Sequence, residues 1–455
     1  MKLAIIGSGY VGLTAGMTFA YLGNHVTFLD SDQNRITTLL QGELPFYEPG
    51  LHSLFRQVKQ NVDFLYEWSD LNWDIDVLFI TVGTPPQPNG DVDLRYVEAV
   101  AQQIGEHIPD TADPLIVMKS TVPIGSADKV AQIIQLELNR RGSSRSIQVV
   151  ANPEFLREGE ALRDAFFPDR IIVGTENDHA AQIMQALYEP LIHQTFTPPV
   201  EVPVPKERGR ASFIVTNPKS SELIKYAANS FLAMKISFIN EFSQLAEAAG
   251  ADIKEIAYGI GLDQRIGTKY LQAGLGWGGS CFGKDLQAII RTAEQHQTRM
   301  KLLQSVVEVN QQQREWVHKR LCALFGQLQG LRVGILGVSF KPNTDDLRDA
   351  VSIAIIEQLV RNDVQVTVFD PIALERLKLE QPQLEISFAQ SAGEVFYASD
   401  AVILVTEWEE FQQLPLQQLR EVMNHPVFLD GRNAMEPKRM RELGFIYEGV
   451  GRRTT

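Results

Sequence analysis

Lys2-Leu-Ala-Ile-Ile-Gly-Ser-Gly-Tyr-Val-Gly12 opens the chain, and the reading of this stretch decides the fold. Residues 2–6 form a short apolar run of strand length. Residues 13–22 are small and apolar and read as a helix that ends at Gly23-Asn24, and residues 25–29 read as the next strand, ending at Asp30. The result is a βαβ unit with glycines at 7, 9 and 12 in dinucleotide-fingerprint spacing. The first glycine makes the tight turn, the second lets a pyrophosphate approach the backbone, and the third lets helix pack on strand. The N–H groups at the helix N-terminus then face the phosphates. Asp30, 23 residues after Gly7, stands where an acid bonds a ribose 2′-hydroxyl and repels a 2′-phosphate, which favours NAD over NADP.

Working outward, further strand-and-turn units follow. Residues 76–82 lead to Gly83-Thr-Pro-Pro86, residues 115–119 to Ser120-Thr-Val-Pro-Ile-Gly125, and residues 148–151 to Asn152-Pro-Glu-Phe-Leu-Arg-Glu158. Strands alternating with helices predict a parallel sheet with the site on the loops after the strands. Residues 197–210 hold four prolines and several charges and read as a linker or surface loop. Ser221 is the expected cap of a helix running towards Gly250, apolar over much of its circumference and so a core spine or a subunit interface. A second βαβ pattern begins at Leu331: residues 332–336 as strand, Gly337 as turn, 352–361 as helix and 365–369 as strand before Asp370. It lacks the three-glycine spacing, so it is expected to bind something other than the same dinucleotide in the same way. The fold class is therefore α/β, with two Rossmann-like doubly wound domains joined by a long central helix. The expected division is 1–205, 206–315 and 316–455, in keeping with about three domains of ~150 residues.

Composition narrows the partners. With 44% apolar and 22% charged residues the chain is an ordinary globular protein. A formal net charge of −14 argues against nucleic acid as a partner, and requires local groups to meet any phosphate ester. No apolar run approaches membrane-spanning length, so no membrane partner is expected. The opening Met-Lys and apolar run resemble a signal peptide only superficially, because three glycines interrupt it and no small-residue cleavage pattern follows. Two cysteines give neither a disulfide framework nor a zinc spacing, so no metal and a cytoplasmic location are expected.

One of those cysteines, Cys281, lies in Gly274-Leu-Gly-Trp-Gly-Gly-Ser-Cys-Phe-Gly-Lys-Asp285. Glycine density marks close backbone approach, so the thiol reads as chemical. Lys284 beside it favours thiolate, and Asp285 is placed to carry protons. Cys322, in an apolar stretch, reads as a small buried hydrophobe. Lys225 and Asn229 are spaced i, i+4 and share a helix face. Alone they read as surface groups; on a mostly apolar helix they carry more weight.

Taken together, the chain resembles the UDP-glucose/GDP-mannose dehydrogenase family over essentially its whole length. The matching runs are residues 7–13, Tyr47-Glu-Pro-Gly-Leu51, Lys119-Ser-Thr-Val-Pro123, Asn152-Pro-Glu-Phe-Leu156, Ile224-Lys-Tyr-Ala-Ala-Asn229, Asp263-Gln-Arg-Ile-Gly267, Gly278-Gly-Ser-Cys-Phe282, Phe340-Lys-Pro-Asn-Thr344 and Asp430-Gly-Arg-Asn433. The resemblance implies oxidation of the C6 hydroxyl of a nucleotide sugar to a carboxylate, using two NAD and one water. Cys281 is implied as the nucleophile, forming a thiohemiacetal and then a thioester. Lys225 and Asn229 would stabilise the oxygen at C6, Asp285 would move protons through water, Glu154 would assist the hydrolytic water, and Thr121 would join the same proton-handling cluster. The implied cofactor residues are Gly7, Gly9, Gly12, Asp30, Arg35, Thr84, Thr121, Glu158, Lys284 and Arg348. The implied nucleotide-sugar residues are Phe155, Leu156, Lys225, Asn229, Arg265, Tyr270, Gly278, Phe282, Lys341 and Arg432. Arg265 is implied to reach a partner subunit's site in a homodimer built on the central helix. Phe282 and Asp430-Gly-Arg-Asn433 lean towards UDP-glucose, giving UDP-glucuronate, with GDP-mannose as the alternative. Trp277, Gly283, the long 197–210 stretch and Asn217-Pro218 depart from the family pattern. Gly283 is expected to loosen the turn after Cys281, while the last two bear on the local fold before the central helix and leave the implied chemistry untouched.

Overall fold

The computed structural model describes residues 1–206 and 209–452, so residues 207–208 of the proline-rich stretch lie outside the described residues. Two compact units are present: Met1–Ala227 with Gln287–His296, and Ala228–Leu286 with residues 297–455.

The first unit is built on eight strands: β1 (Lys2–Ile6), β2 (His25–Leu29), β3 (Val62–Leu65), β4 (Val77–Ile80), β5 (Leu115–Met118), β6 (Val149–Ala151), β7 (Arg170–Gly174) and β8 (Ser212–Thr216). Their order is β3-β2-β1-β4-β5-β6-β7-β8, and every neighbouring pair is parallel except β6 with β7. The order in which strands are added across the sheet reverses between β1 and β4, the switch point beyond whose strand ends a doubly wound sheet holds its ligand. The central strands β1 and β4 are fully buried along almost their whole length because helices cover both faces, which is why they read as unbroken apolar runs.

The helix after β1 spans Tyr10–Tyr21 and so begins three residues earlier than the sequence reading. Gly12 consequently sits in its first turn, where a Cβ would lie 2.0 Å from the Gly7 carbonyl oxygen. Strand β8 is a further difference. It is an edge strand with Ile214 and Val215 both exposed, so no half-buried alternation announces it. The stretch 197–210 packs on this unit in part: Val202 is buried in its core and Ser53 donates to Glu201 at 2.5 Å.

The second unit holds β9 (Arg332–Leu336), β10 (Gln365–Phe369), β11 (Ser387–Phe388), β12 (Ala401–Leu404), β13 (Val427–Asp430) and β14 (Ile446–Gly449), all parallel, in the order β11-β10-β9-β12-β13-β14. The echo of the first unit extends to hydrogen bonds. Asp30, after β2, accepts from the N–H and hydroxyl of Ser8 at 2.7 and 2.8 Å. Asp370, after β10, accepts from the N–H and hydroxyl of Ser339, each at 3.1 Å. The expected strands 332–336 and 365–369 are present with those bounds.

Between the sheets in sequence runs the helix Pro218–Ala249, 32 residues long. It starts three residues before Ser221, which corrects the reading of Ser221 as its cap. Pro218 supplies a preset φ at the first helical position, and the Asn217 carboxamide accepts the Ser220 N–H at 2.9 Å. Ser221 lies inside the helix and donates to the Ala151 carbonyl at 3.1 Å, fastening the helix to the end of β6.

Candidate active site

In the first unit, the segments that follow β1, β2, β4, β5 and β6 carry eight of the ten expected cofactor residues, whereas Lys284 and Arg348 lie in the second unit. A Cβ on Gly9 would meet nothing within 4 Å, so the helix N-terminus is open to a ligand at the fingerprint's second glycine. Asp30 already takes the Asp32 N–H and the Arg35 guanidinium, each at 3.0 Å. Burial disfavours its charge, yet these donors together hold its carboxyl below the usual range, so it is an anion available to a ribose hydroxyl. Thr84 donates to the Thr121 carbonyl at 2.9 Å, which joins the loops after β4 and β5. Glu158 is half-buried, and its charge reaches Tyr10 of the fingerprint. Open backbone at Gly9, an acid after β2 and polar groups after β4 and β5 fit NAD.

Beyond those loops the same unit buries a charged cluster. Lys225 donates to Glu154 at 3.0 Å, with both side chains less than one-tenth exposed. Glu154 also accepts the Leu156 N–H at 2.5 Å. Burial works to raise its pKa, but Lys225, that N–H and Lys119 outweigh it and hold the carboxyl ionised. Lys119, after β5, donates to Asn152 at 3.1 Å and to Tyr188 at 3.2 Å, and Tyr188 donates to Asn152 at 2.7 Å. Burial pushes the Lys119 ammonium down to about 8, with Lys225 adding to the shift and Glu154 opposing it. Phe155 lies under the Arg170 guanidinium at 3.7 Å and 5.4 Å from the Lys225 ammonium. One turn before Lys225, Glu222 accepts the N–H groups of Gly125 and Ala127 at 2.5 and 2.8 Å, capping the helix Ser126–Arg140. Burial pushes Glu222 up to about 7.

The second unit holds the thiol. Neither cysteine forms a disulfide. The Cys281 carbonyl accepts the Asp285 N–H at 2.9 Å, so Cys281 stands at the N-terminus of the helix Phe282–Gln295, a position that favours thiolate. Ser280 Oγ is 3.4 Å from its sulfur. Asp285, buried in the first turn, accepts from Asn229 at 2.6 Å and from Lys284 at 2.7 Å. Lys284 therefore directs its charge to Asp285. Phe282 contacts Trp277 edge-on at 6.2 Å and Tyr270 at 6.4 Å, which groups three of the aromatic side chains beside the thiol. At Gly278 a Cβ would lie 2.1 Å from the Asp349 carbonyl oxygen. Arg432 donates to the carbonyls of Val405 at 2.7 Å and Gly276 at 3.3 Å. Lys341 lies over the Phe340 ring at 5.4 Å, and Arg348 forks onto Asp346 at 2.6–2.9 Å. Arg265 stands apart, its side chain 88% exposed and forked onto Asp263.

Sequence reading missed Lys119, Asn152, Tyr188 and Glu222 as members of the cluster. Lys119 carried the one usable signal: a charge directly after the apolar strand 115–118. Among the described residues no group of three or more His, Cys, Asp or Glu is placed to hold a metal ion, and no helix is long and apolar enough to cross a membrane.

Two doubly wound sheets, an NAD fingerprint and a thiol at a helix N-terminus define a dinucleotide-dependent dehydrogenase. The chain belongs to the UDP-glucose/GDP-mannose dehydrogenase family: residues 1–192 match its NAD binding domain, 219–312 its central domain and 334–437 its UDP binding domain. It is 40% identical to a UDP-glucose 6-dehydrogenase of Pseudomonas aeruginosa, over 99% of this chain and 98% of that one. It is 38% identical to the UDP-glucose 6-dehydrogenase TuaD of Bacillus subtilis, over 99% and 93%. The solved structure of a UDP-glucose dehydrogenase from Pyrobaculum islandicum superposes with a TM-score of 0.88 at 35% identity, covering 99% of this chain and 98% of that one.

Proposed function

We propose that this chain oxidises UDP-glucose at C6 to UDP-glucuronate, using two NAD and one water per sugar. The observation that carries the reading is the bonded set in which Asp285 and Lys284, on the helix that Cys281 opens, meet Asn229 of the helix Pro218–Ala249. NAD, when bound, accepts the hydride lost at each of the two oxidations. The protein's residues do the remaining work. At the alcohol, Asp285 takes the hydroxyl proton through water while Lys225 and Asn229 stabilise the negative charge on O6. At the aldehyde, the Cys281 sulfur bonds to C6 and the carbonyl oxygen becomes the thiohemiacetal oxygen. The remaining C6 hydrogen then leaves as hydride and the thiohemiacetal hydroxyl proton, which came from the thiol, passes to water, leaving a thioester. Water then adds, its proton passing to Glu154, and the C–S bond breaks to return the thiol and release a carboxylate. A Glu154 held ionised by its neighbours suits it to accept that proton. Thr121 is assigned to the same proton-handling group.

The GDP-mannose alternative is not favoured, since the full-length relatives carry the UDP-glucose name. We assign residues 1–205 to NAD binding, 206–315 to a central helical dimerisation domain that carries Cys281, and 316–455 to nucleotide-sugar binding. A homodimer on the central helix is supported by Phe231, Phe238, Phe242 and Leu245, all exposed and spaced to share one helix face. An exposed Arg265 suits the role of reaching the partner's site. A reduced nucleophilic thiol fits the cytoplasm. Counting NADH per UDP-glucose consumed tests the reading: two NADH with a UDP-glucuronate product is expected. One NADH per sugar, or faster turnover of GDP-mannose, would overturn it.

A further inference from the structure

The loop that delivers Cys281 cannot order itself. Four of the six residues 274–279 are glycines, which lose the most conformational freedom on folding and carry no side chain to pack. Besides Arg432 on the Gly276 carbonyl and the Leu275 N–H on the Gly431 carbonyl, a set of buried amides from elsewhere in the second unit holds it. Asn240 accepts the Gly274 N–H at 2.9 Å, and Gln313 donates to the Gly274 carbonyl at 2.8 Å. Asn310 makes the most directed contact: its Oδ1 accepts the Trp277 N–H at 2.8 Å and its Nδ2 donates to the Trp277 carbonyl at 3.0 Å. That closed ring imitates a strand pair on a single residue.

Three features single out this ring. Asn310 and Gln313 lie on the buried stripe of the helix Lys301–Arg314, beside Val306, where apolar residues would serve packing better. Buried amides there are costly unless fully bonded. Gly276 makes the ring possible: its φ is +104°, and a Cβ there would lie 2.6 Å from Asn310 Oδ1. Trp277, once held, is fixed at its indole by Ser237 at 3.0 Å and packs edge-on against Phe282, the residue after Cys281. Trp277 therefore reaches the nucleophile along the chain and through its ring.

We propose that Asn310 is a positioning residue for the Cys281 thiol, acting through its two-bond ring on the Trp277 backbone. The inference rests on Cys281 being the nucleophile. Asn310→Leu removes both bonds at similar volume. Asn310→Asp keeps the acceptor but loses the donor while ionised, and regains both when protonated. Arg314, which donates to the same Trp277 carbonyl at 3.1 Å, and Asp349, paired with Arg314 at 2.8 Å, are the charged groups placed to influence that protonation.

The test uses the full chain with Cys322→Ser, so that only Cys281 reports as a thiol. In N310L, kcat is expected to fall about tenfold or more with KM for the sugar nucleotide within about twofold, since small misplacement of a reacting group costs rate. In N310D, kcat relative to the parent should climb as pH is lowered from about 9 to about 6, because the protonated carboxyl rebuilds the ring, whereas N310L stays flat. Iodoacetamide alkylation of Cys281 needs no turnover, and its rate should differ about threefold or more between N310L and the parent. Equal alkylation rates and equal kcat would overturn the inference, as would a flat N310D ratio or variants without a folded thermal transition, which would make Asn310 merely structural. One NADH per sugar from the parent would instead overturn the enzymatic reading, with an alkylation difference still supporting the ring.

Discussion

Replacing Lys225 with Met tests the buried pair at the centre of the first unit. The change keeps an unbranched side chain, one heavy atom shorter, and removes its charge and donors. Glu154 would then retain the Leu156 N–H and the more distant Lys119 charge, in a site where its side chain is 7% exposed. Removing one member of a buried pair leaves an uncompensated charge and costs ~3–5 kcal/mol. Lys119 remains to offset part of this, so the lower end, ~3 kcal/mol, is expected. For a unit of this size, at ~2–4 °C per kcal/mol, the first unit's calorimetric transition should fall by roughly 6–12 °C near neutral pH.

The pH dependence of that loss has a definite sign. In the parent, Glu154 titrates below its unfolded value, so it stabilises the fold above the ordinary Glu pKa, and this is lost as pH falls through the folded value. In the variant, burial is opposed only by the Leu156 N–H and Lys119, and the folded pKa rises. Glu154 then costs stability above that new value, and the cost vanishes below the ordinary pKa of about 4.3. The gap between K225M and the parent should therefore narrow on acidification. Adding Glu154→Gln should recover more than half of the deficit at neutral pH without restoring turnover. A loss below ~1 kcal/mol, or a double variant no more stable than K225M, would refute the reasoning.

Other outcomes follow from the same geometry. Cys281→Ala should abolish carboxylate formation while NAD affinity stays within about twofold by calorimetric titration, because its role is covalent. Asp30→Ala should weaken NAD about tenfold and relax the rejection of NADP; an unchanged cofactor preference in competition assays would remove Asp30 as the ribose ligand. Lys119 titrates at about 8 when folded against 10.5 ordinarily, so its charging cost is fully present below about 8 and fades as pH rises towards 10.5. Lys119→Met should therefore flatten the rise in stability that this group contributes across that window, read by thermal unfolding at several pH values. Phe238→Asp, on the exposed face of the long helix, should shift the protein to monomer in sedimentation velocity if that face is the subunit contact.

How much was legible in the sequence depends on how local each feature is. Strands β1 and β9 were readable as near-continuous buried runs ending at a glycine turn, and β2 and β10 as short apolar-rich runs ending at an Asp, all within a few residues. Asp30 was readable because the fingerprint fixes its distance along the chain. Strand β8 was not, since an exposed edge strand has no burial pattern to betray it. The start of the long helix was missed at Asn217-Pro218 because Ser221 offered a plausible cap whose hydroxyl in fact serves the Ala151 carbonyl.

The candidate site divides in the same way. The expectation of carbonyl chemistry at 225, 229, 281 and 285 comes from the family resemblance, and the spacing of Cys281 and Asp285 fits one helical turn. Only tertiary structure pairs Lys225 with Glu154, 71 residues away, and Asn229 with Asp285, 56 away. Only tertiary structure brings Asn310 onto Trp277 or sinks Lys119 between Asn152 and Tyr188. Apolar periodicity is written into neighbouring residues because burial acts on whole faces of an element. A hydrogen bond or a shifted pKa depends on which single atom arrives within 3 Å in a water-excluded place, and packing of the whole unit settles that.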